Sequence, residues 1–274
     1  MGPIIKNYKV IKYKSKIINH LKKLKIKKGD HIVLYCKISS FGITDKDFPK
    51  KLLEEIIEYI GNNGTVIMPS YTYEKNNFLF NKKKLKSNYS TGILVKNFFL
   101  KKNITRSFRP IHSHIGIGKK SMILKAKNMN SFGKYSDFDK FTKNNFKCIF
   151  LGCEPNDAAT YFVHLEYMNN VPYREKIIIK KKVFINNKIR SVKINYHKRV
   201  EDVNIDLNLG LKKMIKLGLK CEKSNLIYGK SYSIKFKDLP SILRHSFSEN
   251  LFSNIVASCP KFLASFIFIK LPLA

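Results

Sequence analysis

The sequence predicts an α/β protein: a layered domain with a central mixed, largely parallel sheet flanked by helices, plus a small antiparallel appendage. Three observations carry this. Helical and strand-like apolar patterns alternate through the first half of the chain, short Ile/Val-rich runs follow, and no repeat or Pro- or Ser-rich linker divides it. At 274 residues the chain can bury a core without disulfides, and 44% hydrophobic content with 20 Phe and 14 Tyr excludes a disordered composition. The reading is a single domain over 1–274: a core at 29–174, an antiparallel and helical appendage at 175–250 and an apolar tail at 251–274.

The elements follow in order. Ile17, Ile18, Leu21 and Leu24 recur at helical spacing, and Gly29-Asp30 resets the chain before the strand run Ile32 to Cys36. Leu52, Leu53, Ile56, Ile57 and Ile60 form one helical stripe with Glu54, Glu55 and Glu58 outside it, ended by Gly61 to Gly64 before the strand Thr65 to Met68. A third strand, Cys148 to Leu151, stops at Gly152 and leads through Asn156-Asp157 into a helix from Ala158 to Met168. Beyond Tyr173, runs at Ile177 to Ile179, Val183 to Ile185 and Val192 to Ile194 flank Asn186-Asn187-Lys188, which reads as a hairpin turn. A helix from about Leu207 to Leu217 closes at Gly218.

The net charge is +34, from 53 Lys plus Arg against 19 Asp plus Glu, a field that attracts phosphates. A basic nucleic-acid-binding protein is therefore the alternative to an enzyme. Against it, the arginines are only Arg106, Arg109, Arg174, Arg190, Arg199 and Arg244, whereas bidentate phosphate and base recognition favours Arg, and the lysines are scattered. No specific nucleic-acid partner is expected. The five cysteines include no CxxC pair, so a disulfide framework and a four-thiolate zinc site both fit poorly. Met1 to Lys9 lacks the apolar core of an export signal, and Phe262 to Ile269 falls short of the ~20 residues a spanning helix needs. A cytoplasmic location without a transmembrane span is expected.

Gly116-Ile117-Gly118 lacks the third glycine of a dinucleotide loop, and no Walker lysine loop, HExxH or GxSxG occurs. Of the histidines, His112, His114 and His164 lie near polar residues just after predicted strands, where α/β proteins place ligands. Cys36 and Cys153 have no general base nearby in sequence and are poor acyl-carrying nucleophiles.

Four ordered blocks carry a resemblance: GDHIVLYCKISSFG from Gly29, GTVIMPSY from Gly64, RSFRPIHSHIGIG from Arg106, and Ser131 through Arg174 with SFGKYSDFDKF, IFLG, ATYFVHLE and VPYR. The chain resembles the aminoglycoside N3-acetyltransferase family, whose members transfer an acetyl group from acetyl-CoA to an amine. The resemblance implies direct transfer in a ternary complex with no metal and no covalent enzyme intermediate, and with a small-molecule amine acceptor and acetyl-CoA as partners; a homodimer is the assembly considered. Neutral imidazole takes the amine proton in such chemistry, which assigns the catalytic roles to His164 as base and Glu166 as its carboxylate. Lys37, Ser39, Ser40, Arg106, Ser107, His112 and Ser113 are the expected acetyl-CoA contacts, with Ser39, Ser40 or Ser113 as oxyanion donors. Tyr71, Tyr73, Glu74 and Asp157 are the expected acceptor contacts, and the positive surface favours a weakly cationic amino sugar over a polycationic aminoglycoside.

The chain departs from the family pattern in three places. Tyr35-Cys36-Lys37 stands where the family has His-Ser-Ser, and Arg109-Pro110-Ile111-His112-Ser113 where it has His-Pro-Thr-His-Ser. Counting back from Val171-Pro172-Tyr173-Arg174 puts Glu166 on the glutamate of the family's His-x-x-Glu and Val163 on its histidine, leaving His164 one place late. At 100° per residue, His164 and Glu166 lie roughly 160° apart on a regular helix and cannot face one point. The alternatives are a family variant that uses the later position, a helix that starts later, or a weakened enzyme acting as a binding protein. The competing reading of His164 itself is a packed helix histidine.

Overall fold

The computed structural model describes residues 15–72, 78–84, 92–125, 128–158, 160–200, 204–242 and 256–257. In chain order the first half comprises α1 (15–23), β1 (His31–Cys36), α2 (Phe48–Ile60), β2 (Thr65–Pro69), β3 (Leu79–Phe80), α3 (Ile93–Phe99), β4 (Thr105–Arg106) and β5 (His114–Gly118). There follow α4 (Asp137–Lys143), β6 (Lys147–Leu151), α5 (Pro155–Ala158), α6 (Thr160–Met168), β7 (Arg174–Ile185), β8 (Lys188–Arg199), β9 (Asn204–Ile205), α7 (Leu207–Lys216), β10 (Cys221–Leu226), β11 (Gly229–Lys235) and β12 (Val256–Ala257). The expected helix at 158–168 meets α5 at Ala158 and α6 from Thr160, and residue 159, Tyr73, Glu74 and nearly all of the apolar tail lie outside the described residues.

Seven strands build the central sheet in the order β10-β11-β6-β1-β2-β5-β4. It is mixed: β1 runs parallel to β2 and to β6, and the strands on both flanks are antiparallel. β1 is buried on both faces, which explains its unbroken apolar run. Its side chains alternate between two cores. Ile32 and Leu34 join the layer of α1, α2 and α3 through Leu21, Leu52, Ile56 and Phe98; Val33 and Tyr35 join the layer of α4 and α6 through Phe138, Phe141, Tyr161 and Leu165.

β7 and β8 pair antiparallel along their full length, and β3 adds to β7 in parallel to give a separate three-stranded sheet. Asn186 and Asn187 take φ of 47° and 59°, the left-handed pair that a two-residue hairpin turn demands. The later hairpin behaves differently: β11 pairs with the free edge of β6, so β10 and β11 extend the central sheet instead of the appendage. No helix among the described residues is long and apolar enough to cross a membrane.

Gly152 ends β6 with φ of +70°, and a Cβ there would come within 2.6 Å of the Ser40 side chain and 2.9 Å of Leu226. Gly152→Ala therefore loses about 1–3 kcal/mol of stability from backbone conformation alone. A urea titration should show a lower midpoint; an unchanged midpoint would contradict the tight approach.

Candidate active site

The carboxyl ends of β1 and β2 open into a groove of about 500 Å³. Its wall is mostly apolar, built from Leu34, Tyr35, Met68, Pro69, Tyr71 and Leu94, with Lys37 as its cation. Beside it lies a smaller cavity of about 250 Å³ walled by His112, Phe132, Val163, Arg174, Tyr196 and His197. Asp157 and Thr160 line both. Asp157 of α5 and Thr160 of α6 thus form a shared wall between two spaces. Asn156 anchors that wall, donating to Asp206 at 3.0 Å and accepting from the Leu207 N–H at 2.6 Å at the start of α7.

Behind the wall runs a buried polar chain. Arg109 Nε lies 2.8 Å from Asp137 Oδ1, and His114 Nδ1 donates to Asp137 Oδ2 at 3.0 Å; all three side chains are essentially unexposed. Burial pushes the Asp137 carboxyl up, but Arg109 and the His114 and Ser107 hydrogen bonds outweigh it and hold it down at about 2. His114 Nε2 then accepts from the Tyr71 hydroxyl at 3.2 Å, so the chain ends on the groove wall. His114, Asp137 and Arg109 were not among the expected site residues.

His164 points away from both spaces. It is 4% exposed, packs against Phe138 and Tyr161, and accepts the Gly133 N–H on Nδ1 at 3.2 Å. The expected base thus lines neither space: one residue, about 100° of helical phase, separates it from Val163, which lines the smaller cavity. Glu166 is also buried and lies behind the cavity, its carboxylate paired with Arg174 Nε and accepting from the Tyr173 hydroxyl at 3.4 Å. It reaches the site through Arg174.

The sequence profile of aminoglycoside 3-N-acetyltransferases matches residues 34–224. The chain belongs to this family. The match extends past the blocks at 29–174 and takes in the β7–β8 hairpin that carries Tyr196 and His197. Solved structures share the fold: the Bacillus subtilis YokD protein at 18% identity, TM-score 0.73, covering 85% of this chain and 98% of that one. The aminoglycoside acetyltransferase AAC(3)-IVa apoenzyme gives 19%, 0.74, 90% and 92%, and AAC(3)-Xa gives 12%, 0.75, 88% and 96%. No curated protein sequence matches.

In this family member the expected donor contacts divide. Lys37 stands at the groove, half-exposed and 4.0 Å from Asp157, and Ser39 is exposed beside it. Four other expected contacts are engaged within the protein. Arg106 is 4% exposed and donates to the Ser70 and Lys84 carbonyls at 3.0 and 2.9 Å and to the Ser113 hydroxyl, clamping the β2 end to the loop after β3. Ser113 is held in that clamp against Ser70, Ser107 accepts the His114 N–H, and Ser40 donates to the Gly152 carbonyl. A buried guanidinium surrounded by carbonyls has no donor left for a phosphate. His112 lines the cavity, Tyr71 the groove and Asp157 both. Burial raises the groove thiol Cys153 to about 12 and Cys36 well above its usual value, so both stay protonated.

Burial lowers His112 to about 3 and His20, His164 and His197 to about 4. The unfolded chain takes up protons near pH 6.5 while these rings do not, so their stabilising contribution is complete above that pH and declines as pH falls toward 4. Each ring contributes a slope of about 1.4 kcal/mol per pH unit in that window. The urea midpoint should fall steadily between pH 7 and pH 4; a flat profile would show the rings to be solvated.

Proposed function

We propose that this chain transfers the acetyl group of acetyl-CoA to an amino group of an amino sugar or aminoglycoside, directly between two ligands bound side by side. The observation that carries this is the wall shared by the groove and the smaller cavity at Asp157 and Thr160. The donor supplies an acetyl group activated as a thioester. The groove's apolar lining suits a slender, largely uncharged arm, and Lys37 offers a cation for phosphate. Its two thiols are held protonated by burial, which favours direct transfer over an acyl-enzyme.

On the acceptor side, Asp157 orients the amine and Thr160 brings a hydroxyl to the wall where charge develops. Arg174, its charge shared with Glu166, lies on the same cavity and offsets the pull of Asp157 on a second ammonium. The cavity thus suits an acceptor of low positive charge, such as an amino sugar carried on a nucleotide. Location in the cytoplasm, where acetyl-CoA is made available, accords with this reading.

Calorimetric titration of the full chain with CoA should show saturable binding. Absence of that heat, with duplex DNA binding that weakens steeply with salt, would replace the enzyme by the nucleic-acid reading. In a thiol-release assay, a nucleotide-linked amino sugar should give a higher kcat/KM than a deoxystreptamine aminoglycoside. The reverse order would overturn the acceptor assignment, and CoA binding without turnover of either would favour a non-catalytic binding protein.

A further inference from the structure

His197 reaches the smaller cavity through strand pairing, not through any local motif. It lies on β8 opposite Lys176 of β7, is 2% exposed, and packs edge-on against Tyr167 with ring centroids 5.2 Å apart. The ring is hydrogen-bonded to the main chain of Val163 on α6. Its Nδ1 is buried and has no hydrogen-bond partner among the described residues. A neutral ring protonated on Nε2 leaves the Nδ1 lone pair as an acceptor. Leaving a buried polar nitrogen unpaired is costly, and in a side chain that lines a cavity it calls for a partner from the cavity's occupant.

We propose that His197 is the proton acceptor of the transfer reaction, with Nδ1 receiving the proton of the amine nitrogen seated beside Arg174, Asp157 and Thr160. This rests on the acetyl-transfer reading above. The electrostatic surroundings support it. Arg174 and Lys176 on β7, Glu166 behind Arg174, Tyr167 on α6, and His112, Asp157 and Tyr196 on the cavity wall are charged and titratable groups around the ring. Burial, with help from Arg174, lowers the His197 pKa to about 4, so the ring is neutral and able to accept a proton near neutral pH. His112, the other imidazole of the cavity, is held lower still, at about 3, and is the weaker base of the two. The step balances: the amine nitrogen forms a bond to the acetyl carbon as the carbon–sulfur bond breaks. The amine proton passes to Nδ1 and then to the departing sulfur, leaving an amide and a free thiol. No oxidant, reductant or further reactant is consumed.

The test compares the parent with His197→Gln, which keeps a side-chain N–H for the main chain of Val163 but has no basic nitrogen, and with His197→Ala. Acetyl-CoA and the best amine from the turnover assay are the probes. The glutamine variant should lose roughly 100-fold or more in kcat while its acceptor KM and its CoA affinity by calorimetry stay near the parent values. Added imidazole should restore part of the kcat of the alanine variant, a response that a purely structural residue would not give. A glutamine variant with kcat close to the parent overturns the inference while leaving acetyl transfer intact. A parent that binds CoA and acetylates no amine overturns the underlying reading instead, and this one with it. Should either variant fail to fold, nitrogen-15 spectra of the histidine rings in the unsubstituted protein decide: Nδ1 of His197 bare and Nε2 protonated is expected, and a proton on Nδ1 refutes the assignment.

Discussion

The Asp137 carboxylate, enclosed between the Arg109 guanidinium and the His114 imidazole, is the contact on which the geometry of the site depends. A charge with no exposed surface is tolerated only where partners replace its water, and here they do so well enough to keep it ionised. Arg109, once held, collects the carbonyls of Asn128, Asn130 and Tyr135 and so fixes the loop that carries Phe132 onto the cavity wall. His114 hands the constraint in the other direction to Tyr71 on the groove. One carboxylate thereby sets both walls, on opposite sides of the Asp157 and Thr160 partition.

Most of the central sheet was readable because its pattern is local. The alternation of helix and strand around β1, α2 and β2 follows from apolar spacing and glycine stops, and Asn186-Asn187 announces its turn through the residues that tolerate left-handed backbone. The docking of β10 and β11 onto β6 was not readable, since it depends on which strand edge is left unpaired after everything else has assembled.

The site was legible as a region and not as a set of roles. Lys37, Tyr71, His112 and Asp157 do come together around the two spaces. Arg106 and Ser113 misled because residue type suggests phosphate binding while burial directs both to backbone carbonyls. His164 misled by one step of helical phase, a shift that residue spacing had already exposed as a conflict with Glu166. His197 gave no signal at all, sitting amid a lysine-rich strand whose pairing partner and burial are settled only by tertiary structure.

The hairpin of β7 and β8 belongs to a sheet of its own, yet it brings Arg174 and His197 to the smaller cavity and contributes nothing to the lining of the groove. The two halves of the site are therefore inherited from different layers of the molecule. Drift along this ribbon can retune which amines are welcomed while the thioester side is left undisturbed, so diversification of acceptor choice within such a scaffold needs no renegotiation of its donor.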